Sequence, residues 1–319
     1  MMTVIVCSCG TDGGSFRLKG EMKNMNQAEF YIFATTGASH HIDTIHVQGG
    51  RFTYTVPMDE PTTMTLLFPN FSDLPIFGKP GKTATLMADA SHLSEAKVSG
   101  TDENESMTDF RLAVVNKGFD YAAKEAEKYI TSHPESPVSL YLLQKYYILA
   151  QQVDSKKAYK LADMIAEAQP DNGLIKDIKL QLEPASKVGE GSKLPKFSVS
   201  CIDGTTVSDA SFAKGNGVIM AWASWNYESQ NWQSSLRSIH QQNKKMAVLT
   251  INLDGSRSSA EMKYLPDSLR LPVYHDGRLF EGELVRKLGI MTVPEIIFIK
   301  DGKIVKRGIT VDELRKLSH

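Results

Sequence analysis

The sequence predicts a multidomain α+β protein with three parts: an N-terminal β-sandwich or barrel-like domain, a helical spacer and a C-terminal α/β domain. Three observations lead to this prediction. Short runs of alternating apolar and polar residues fill positions 15–100, a helical period follows over 101–186, and continuous apolar runs flank a helical segment within 187–319. The chain of 319 residues is long enough for each part to have its own core.

The balance of charges argues against two classes of partner. Lys and Arg number 36 against 37 Asp and Glu, which gives a net charge of -1 at pH 7. Because no basic stripe is present, we expect neither nucleic acid nor an anionic membrane surface as a partner. No run of about 18 apolar residues occurs, so no transmembrane helix is predicted. Any contact with a membrane would come through a lipid anchor.

Residues 1–14 carry the pattern of a lipid attachment site and tether. The segment Val6-Cys-Ser-Cys9 resembles a bacterial lipobox, in which the last Cys receives the lipid, and Gly10–Ser15 is typical of a flexible tether. A signal peptide also needs a basic segment and an apolar stretch of roughly 7 to 15 residues, and neither is present in full; a start codon placed too late would explain this. We therefore expect lipidation at Cys9 and a location in the bacterial envelope, facing the periplasm or on the outer membrane. An unstructured cytoplasmic N-terminus is the alternative.

The β-rich part, residues 15–100, contains six predicted strands separated by turn residues, a spacing typical of a small sandwich or barrel. The six strands are Phe16–Gly20, Ala28–Phe33, His41–Val47, Arg51–Val56, Met64–Phe68 and Lys82–Met87. The pattern at Gly50–Val56 resembles a β-rich domain of unknown function found in envelope lipoproteins of Gram-negative bacteria.

Three histidines in this part raise the question of a metal site. His41 and Asp43 would point to one face of a strand, and His40 and His46 to the other. Because three ligands do not converge, we predict no metal.

The spacer, residues 101–186, has the start and stop signals of helices. Ser136 followed by Pro137 predicts a helix that continues to Ala150, since Ser is a preferred N-cap and Pro suits the first helical position. Asp154 predicts the start of the next helix, which Pro170 ends. The preceding stretch from Asn104 to Thr131 predicts two helices separated at Lys117-Gly118. One recognisable helix pair is too few for a solenoid.

The C-terminal part, residues 187–319, begins with a predicted hairpin around the Asp203-Gly204 turn. A buried strand follows at Gly217–Trp222, then a helix to about Lys244 and a second buried strand at Met246–Asn252. Between the first strand and the helix lies the sequence Trp225-Asn-Tyr-Glu-Ser229. Val293-Pro294 precedes a further apolar run that ends at the turn Asp301-Gly302.

These motifs, in this order, resemble the TlpA/ResA-type branch of the thioredoxin superfamily, whose active site reads W-C-x-x-C. Asn226 and Ser229 stand at the positions of the two cysteines, so the motif is degenerate. A dithiol cycle needs a thiolate that attacks and a second thiol that resolves the mixed disulfide. Asn has no ionisable group, and a Ser hydroxyl needs an adjacent base. The two residues, with Glu228 in the first turn, are instead suited to starting a helix.

The resemblance also implies a groove for an extended substrate beside a cis proline. Pro294 is the candidate for the cis bond, since X-Pro bonds alone adopt this isomer readily; an edge-strand proline in the trans form is the alternative. The predicted groove residues are Trp225, Asn226, Tyr227, Ser229, Val293 and Pro294.

Two functional hypotheses follow. The first is a redox-inactive module, without cofactor or catalytic residue, that binds an extended peptide or an envelope protein. The second is a thiol-disulfide oxidoreductase or peroxidase-like enzyme using Cys201, or a hydrolase using Ser229. Cys201 lies in a predicted strand and is more typical of a small buried apolar residue. The nearest histidine to Ser229 in sequence, His240, lies eleven residues along the same helix, about three turns away.

Overall fold

The computed structural model describes residues 14–35, 41–150, 154–256 and 270–317. The chain divides into two compact units. The first runs to Tyr146 and includes Glu167–Leu174, and the second comprises Tyr147–Ala166 and continues from Ile175.

The first unit is built on one eight-stranded sheet that is nearly closed. In chain order its strands are β1 (Ser15–Lys23), β2 (Gln27–Ala34), β3 (Ile42–Gln48), β4 (Arg51–Pro57), β5 (Thr62–Leu67), β6 (Asp73–Gly78), β7 (Thr83–Asp89) and β8 (Lys97–Ser99). In space the order is β6-β5-β2-β3-β4-β1-β7-β8, and only β1 and β7 pair in parallel. All six predicted strands are present, and β6 and β8 are additional. The single curved sheet agrees with the barrel-like alternative rather than with a sandwich of two sheets.

Alternating side chains on these strands build one core. In β1, Phe16, Leu18 and Met22 point inwards while Lys19, Glu21 and Lys23 are exposed or partly so, which is the period of two that half-buried strands require. The ring of Phe30 on β2 packs edge-on against Phe52 and Phe68, with ring centroids 5.8 and 5.1 Å away. This core explains why the alternating pattern of the sequence identifies the strands correctly.

One helix closes the gap between the two edge strands of this sheet. Helix α1 (Asp102–Val114) begins at Thr101 and contacts both β6 and β8. Asn104 donates to the carbonyl of Phe77 on β6 (2.8 Å) and accepts from its N–H (2.9 Å). One turn later, the Thr108 hydroxyl donates to Val98 O on β8 (2.9 Å) and accepts from Val98 N–H (3.0 Å). Asn104 on one edge and Thr108 on the other thus bind backbone groups that a neighbouring strand would otherwise bind. Paired in this way, the two edge strands are less available to pair with another chain.

The remaining helices of the central region are α2 (Phe119–Ser132), α3 (Pro137–Leu143), α4 (Ser155–Ala168) and α5 (Gly173–Lys187). The predicted caps are confirmed: Ser136 accepts from Val138 N–H, and Asp154 accepts from Lys157 N–H. The break at Gly118 is also confirmed, since this residue is the N-cap of α2. The predicted single helix from Pro137 to Ala150 is wrong in its second half, where a π-helical turn occupies Gln144–Ile148.

The second unit contains a five-stranded mixed sheet with apolar cores on both faces. Its strands are β11 (Asn216–Trp222), β12 (Ala247–Asn252), β13 (Val273–Tyr274), β14 (Glu295–Lys300) and β15 (Lys303–Arg307), and a separate hairpin is formed by β9 (Ser198–Ser200) and β10 (Thr206–Ser208). The sheet order is β13-β12-β11-β14-β15, with β11, β12 and β13 parallel and β14 and β15 antiparallel to their neighbours. The helices are α6 (Tyr227–Gln242), α7 (Glu283–Lys287) and α8 (Val311–Leu317).

The central strand β11 supplies side chains to both cores. Ile219 and Ala221 belong to one core, and Val218, Met220 and Trp222 to the other. Because the strand is buried on both faces, it reads as a continuous apolar run in the sequence. This strand ends at the turn before α6, where the candidate site lies.

Candidate functional site

The site lies at the start of α6, where the structure confirms Asn226 as the N-cap. The Asn226 side-chain oxygen accepts from Ser229 N–H (3.0 Å) and is 3.2 Å from the Ser229 hydroxyl, which donates to it. Ser229 Oγ in turn accepts from the N–H of Ala223 at the end of the preceding strand (3.3 Å). Ser229 is fully buried. Asn226 and Ser229 therefore form a closed polar cap on the helix.

The second half of the site is the peptide bond between Val293 and Pro294, which is cis, as predicted. The side-chain amide of Asn226 donates to the Val293 carbonyl over 3.1 Å. The structure thus brings Asn226, Ser229 and the Val293-Pro294 bond together, although these parts of the chain are 67 residues apart. Two aromatic side chains flank the cap: Trp225 is 58% exposed and Tyr227 is 83% exposed. Exposed aromatic rings of this size are typical of binding surfaces.

The hydrogen bonds limit the chemistry that this cap can perform. The Ser229 hydroxyl bonds to an amide oxygen and a backbone N–H, and neither group can take up its proton. His240 lies near the far end of α6; burial lowers its pKa, and its Nδ1 has no partner among the described residues. Neither the hydrogen-bond partners of Ser229 nor His240 provides a base that could activate the Ser229 hydroxyl as a nucleophile.

The other candidate nucleophile, Cys201, is in the turn that follows β9. Only 6% of this residue is exposed, and burial raises the pKa of its thiol. A reactive cysteine needs the opposite conditions, namely exposure and a lowered pKa. The environment of Cys201 is therefore that of a buried apolar residue in the core.

Sequence reasoning missed a buried polar network behind the turn. The Asp254 carboxylate accepts from Ser224 N–H (2.8 Å) and from the Asn252 side-chain amide (2.9 Å), and the Asn252 oxygen is 3.0 Å from Nδ1 of His275. Since an amide oxygen only accepts, the His275 nitrogen is the donor. Asn252 is the last residue of strand β12, Asp254 lies two residues beyond it, and both are almost fully buried. Polar residues at the end of a buried strand are the signal that could have revealed them.

A second missed feature is the buried ion pair of Glu295 and Arg307 immediately after Pro294. Arg307 donates from Nε and Nη2 to Glu295, over 2.9 and 2.5 Å, and from Nη1 and Nη2 to the carbonyls of Val188, Leu288 and Gly289. Burial raises the pKa of the Glu295 carboxyl, and the nearby guanidinium opposes that rise. Arg307 bonds to Gly289 O and to the carboxylate that follows Pro294, so the pair holds both ends of the loop that carries the cis bond.

Several predicted residues lie away from this site or outside the described part. Cys7, Cys9 and His40 are among the residues that the structure does not describe. His46 forms a 3.4 Å contact with Glu29, and His41 is exposed. Within the described ranges no group of three or more His, Cys, Asp or Glu side chains is placed to hold a metal, and no helix there has the length and apolar character needed to cross a membrane.

The sheet of the first unit lies in a segment that matches a known protein family. Residues 16–107 match a family described as a domain of unknown function, DUF4369. The N-terminal domain is DUF4369. The predicted resemblance to a β-rich domain of unknown function is therefore confirmed. No curated protein matches the chain at a significant level.

Among solved structures, the neighbours of the C-terminal part are thioredoxin-like domains. The C-terminal domain of a protein assigned as a thiol-disulfide oxidoreductase from Bacteroides thetaiotaomicron is 27% identical, with a TM-score of 0.37 over 41% of this chain and 94% of that one. A thiol-disulfide oxidoreductase from Bacteroides fragilis is 26% identical, with a TM-score of 0.35 over 40% of this chain and 99% of that one. A thioredoxin-like protein from Bacteroides caccae is 16% identical, with a TM-score of 0.46 over 61% and 76% of the two chains.

Proposed function

We propose that the C-terminal part is a redox-inactive binding module that docks an extended peptide or a partner protein beside Pro294, in a protein tethered in the bacterial envelope. One observation carries the proposal: the residues at the two cysteine positions, Asn226 and Ser229, are hydrogen-bonded into a helix cap that also bonds to Val293. A site arranged in this way has no group that can form a covalent intermediate.

The exposed surface beside the cap supports binding rather than catalysis. Trp225 and Tyr227 together offer a large, stiff apolar area with polar atoms at its edge, and such side chains contribute much of the energy of protein interfaces. The predicted groove residues Asn226, Val293 and Pro294 lie next to them. The bond between Asn226 and Val293 O fixes the groove before a ligand arrives, which reduces the cost of binding.

A thiol enzyme using Cys201 is the weaker candidate. Its thiol is buried and its pKa is raised, so it offers little thiolate at neutral pH. Among the described residues, the Ser229 hydroxyl bonds to an amide oxygen and a backbone N–H and to no base, which argues equally against a hydrolase.

A peptide-binding screen tests the proposal. The full chain is screened against an array of unstructured peptides, and the affinities of the hits are measured by calorimetry. Tyr227→Ala and Pro294→Ala are expected to weaken binding by about tenfold or more, as truncation of an anchor residue does. Tyr31→Ala, which removes an exposed tyrosine from the first unit, is the matched control and is expected to bind as the natural protein does. Hits whose affinity neither site variant changes would contradict the groove.

A further inference from the structure

The first unit contains a cleft that the proposed function does not use. Its volume is about 740 Å³, within the range of small-molecule sites. Three segments line it: the hairpin tip after β5, the loop after β7, and the helical layer from the end of α1 to the π-helical turn. From the residues that line this cleft, we propose that the first unit binds a small organic anion that carries a flat apolar group. The anionic group is a carboxylate or a phosphate.

Cationic side chains outnumber carboxylates in the lining of the cleft. Arg111, Lys117 and Lys145 line it, against a single lining carboxylate, that of Asp73. Lys145 lies 4.0 Å from Asp73, so this pair is locally balanced and Arg111 and Lys117 remain in excess. An excess of cations in a concave site attracts anions, because low-dielectric walls focus the field.

Arg111 is suited to binding the anion directly. It donates from Nη1 to Ala96 O and from Nη2 to Ser94 O, both over 2.9 Å, which fixes the plane of the guanidinium. A guanidinium has five N–H groups, and these two bonds are the ones that Arg111 makes within the described chain. Burial lowers the pKa of Arg111, although it stays charged at any physiological pH. A held, partly desolvated guanidinium with free donors favours a planar or tetrahedral oxyanion.

The aromatic side chains in the wall of the cleft explain why the proposed ligand carries a flat apolar group. Tyr146 packs between Phe110 and Phe119, with ring centroids 5.9 and 5.5 Å away. Phe119 is nevertheless 52% exposed. An aromatic side chain that is anchored on one side and open to solvent on the other is available to stack on a flat ligand group.

Two local irregularities of the backbone occur at this cleft. The π-helical turn Gln144–Ile148 carries Lys145 and Tyr146, and such turns are frequent at functional sites. Between the lining residues Asn70 and Ser72, Phe71 adopts φ +63° and is 84% exposed. A bulky residue in the left-handed region is strained, and strain of this kind concentrates at ligand sites. The strained conformation of Phe71 does not serve core packing, because this side chain is almost wholly in solvent.

The test uses four probes that share a naphthalene ring and carry substituents of different charge: 1-naphthoate, 1-naphthyl phosphate, neutral 1-naphthalenemethanol and cationic 1-naphthylmethylamine. Each is titrated into the full chain and followed by ligand-observed NMR. We expect at least one anion to bind about tenfold more tightly than the neutral and cationic probes. The naphthoate and phosphate arms then show which anion is preferred. Equal affinity for all four probes, or no binding of either anion, would overturn the proposal.

Variants locate the binding. Lys117→Gln removes a lining charge, and Phe119→Ala removes the open aromatic wall; each is expected to weaken anion binding about fivefold or more. Lys124→Gln removes an exposed lysine of α2 that does not line the cleft and is the matched control. Arg111→Gln is expected to abolish binding, and far-ultraviolet circular dichroism checks that this variant still folds. Anion binding that survives both Lys117→Gln and Phe119→Ala would place the site elsewhere and contradict the proposal.

Discussion

At the scale of single residues, Asn226 combines two roles that are usually separate. Its side-chain oxygen caps α6, and its amide nitrogen binds the carbonyl before the cis proline. The capping role could be predicted from the sequence because the partner is only three residues away. The second bond could not, since its partner is 67 residues distant and depends on the whole sheet bringing β11 and β14 side by side. The burial of Cys201 was predicted from a strand, whereas the residue lies just after β9, so the burial is confirmed and the strand is not.

The two roles of Asn226 can be separated by substitution. Asn226→Asp keeps the capping oxygen but loses the donor to Val293 O, whereas Asn226→Ala loses both. We expect Asn226→Ala to lower the free energy of unfolding of the second unit by about 1–2 kcal/mol, the usual cost of losing an N-cap. Asn226→Asp is expected to retain most of the capping stability and to weaken peptide binding instead. Urea denaturation followed by Trp fluorescence measures the first effect, and calorimetry the second. Equal stability of the Ala variant and the natural protein would contradict this account of the cap.

At the scale of elements, the first unit shows which strands can be predicted from the local sequence pattern. The six predicted strands are those in which apolar and polar residues alternate. Strand β6 was missed because five of its six residues are buried and Pro75 lies within it, so it has neither the alternation nor the composition of a strand. Strand β8 has only three residues. The π-helical turn was missed because the apolar period of a helix continues through it.

Hydrogen exchange can test whether α1 protects the two edge strands of this sheet. Asn104→Ala removes the partner of the Phe77 amide, and Thr108→Ala removes the partner of the Val98 amide. We expect Asn104→Ala to speed exchange at Phe77 at least about tenfold while Val98 changes less, and Thr108→Ala to show the reverse pattern, because a lost hydrogen bond lowers the local opening energy. Each variant is thus the control for the other. Unchanged exchange at both amides would show that the edges are protected in some other way.

At the scale of the whole molecule, the protein joins a DUF4369 domain and a helical region to a C-terminal α/β part built on a five-stranded mixed sheet. The order of these parts was predictable because each has its own hydrophobic period. The division of the helices between the two units was not predictable, since Glu167–Leu174 joins the first unit while its neighbours in sequence belong to the second. This depends on long-range packing, which periodicity does not record.

The proposed location in the envelope rests on the lipobox-like segment at Cys9. When the chain is expressed from its full upstream sequence in a Gram-negative host, we expect a fatty-acid label to be incorporated. Cys9→Ser is expected to lose the label, and Cys7→Ser to keep it because Cys7 lies at the variable position of the lipobox-like segment. An unlabelled natural protein, or a label that survives Cys9→Ser, would contradict lipidation at this site.

Reduction of a disulfide-bonded substrate such as insulin, with dithiothreitol as the electron donor, shows whether the natural protein has redox activity. The natural protein is compared with the double variant Asn226→Cys, Ser229→Cys and with Cys201→Ser. We expect no activity above the dithiothreitol background for the natural protein and for Cys201→Ser. The double variant is expected to be clearly active, because the helix dipole would activate thiols at the start of α6. Activity of the natural protein that disappears in Cys201→Ser would contradict the claim that the scaffold is kept without its redox chemistry.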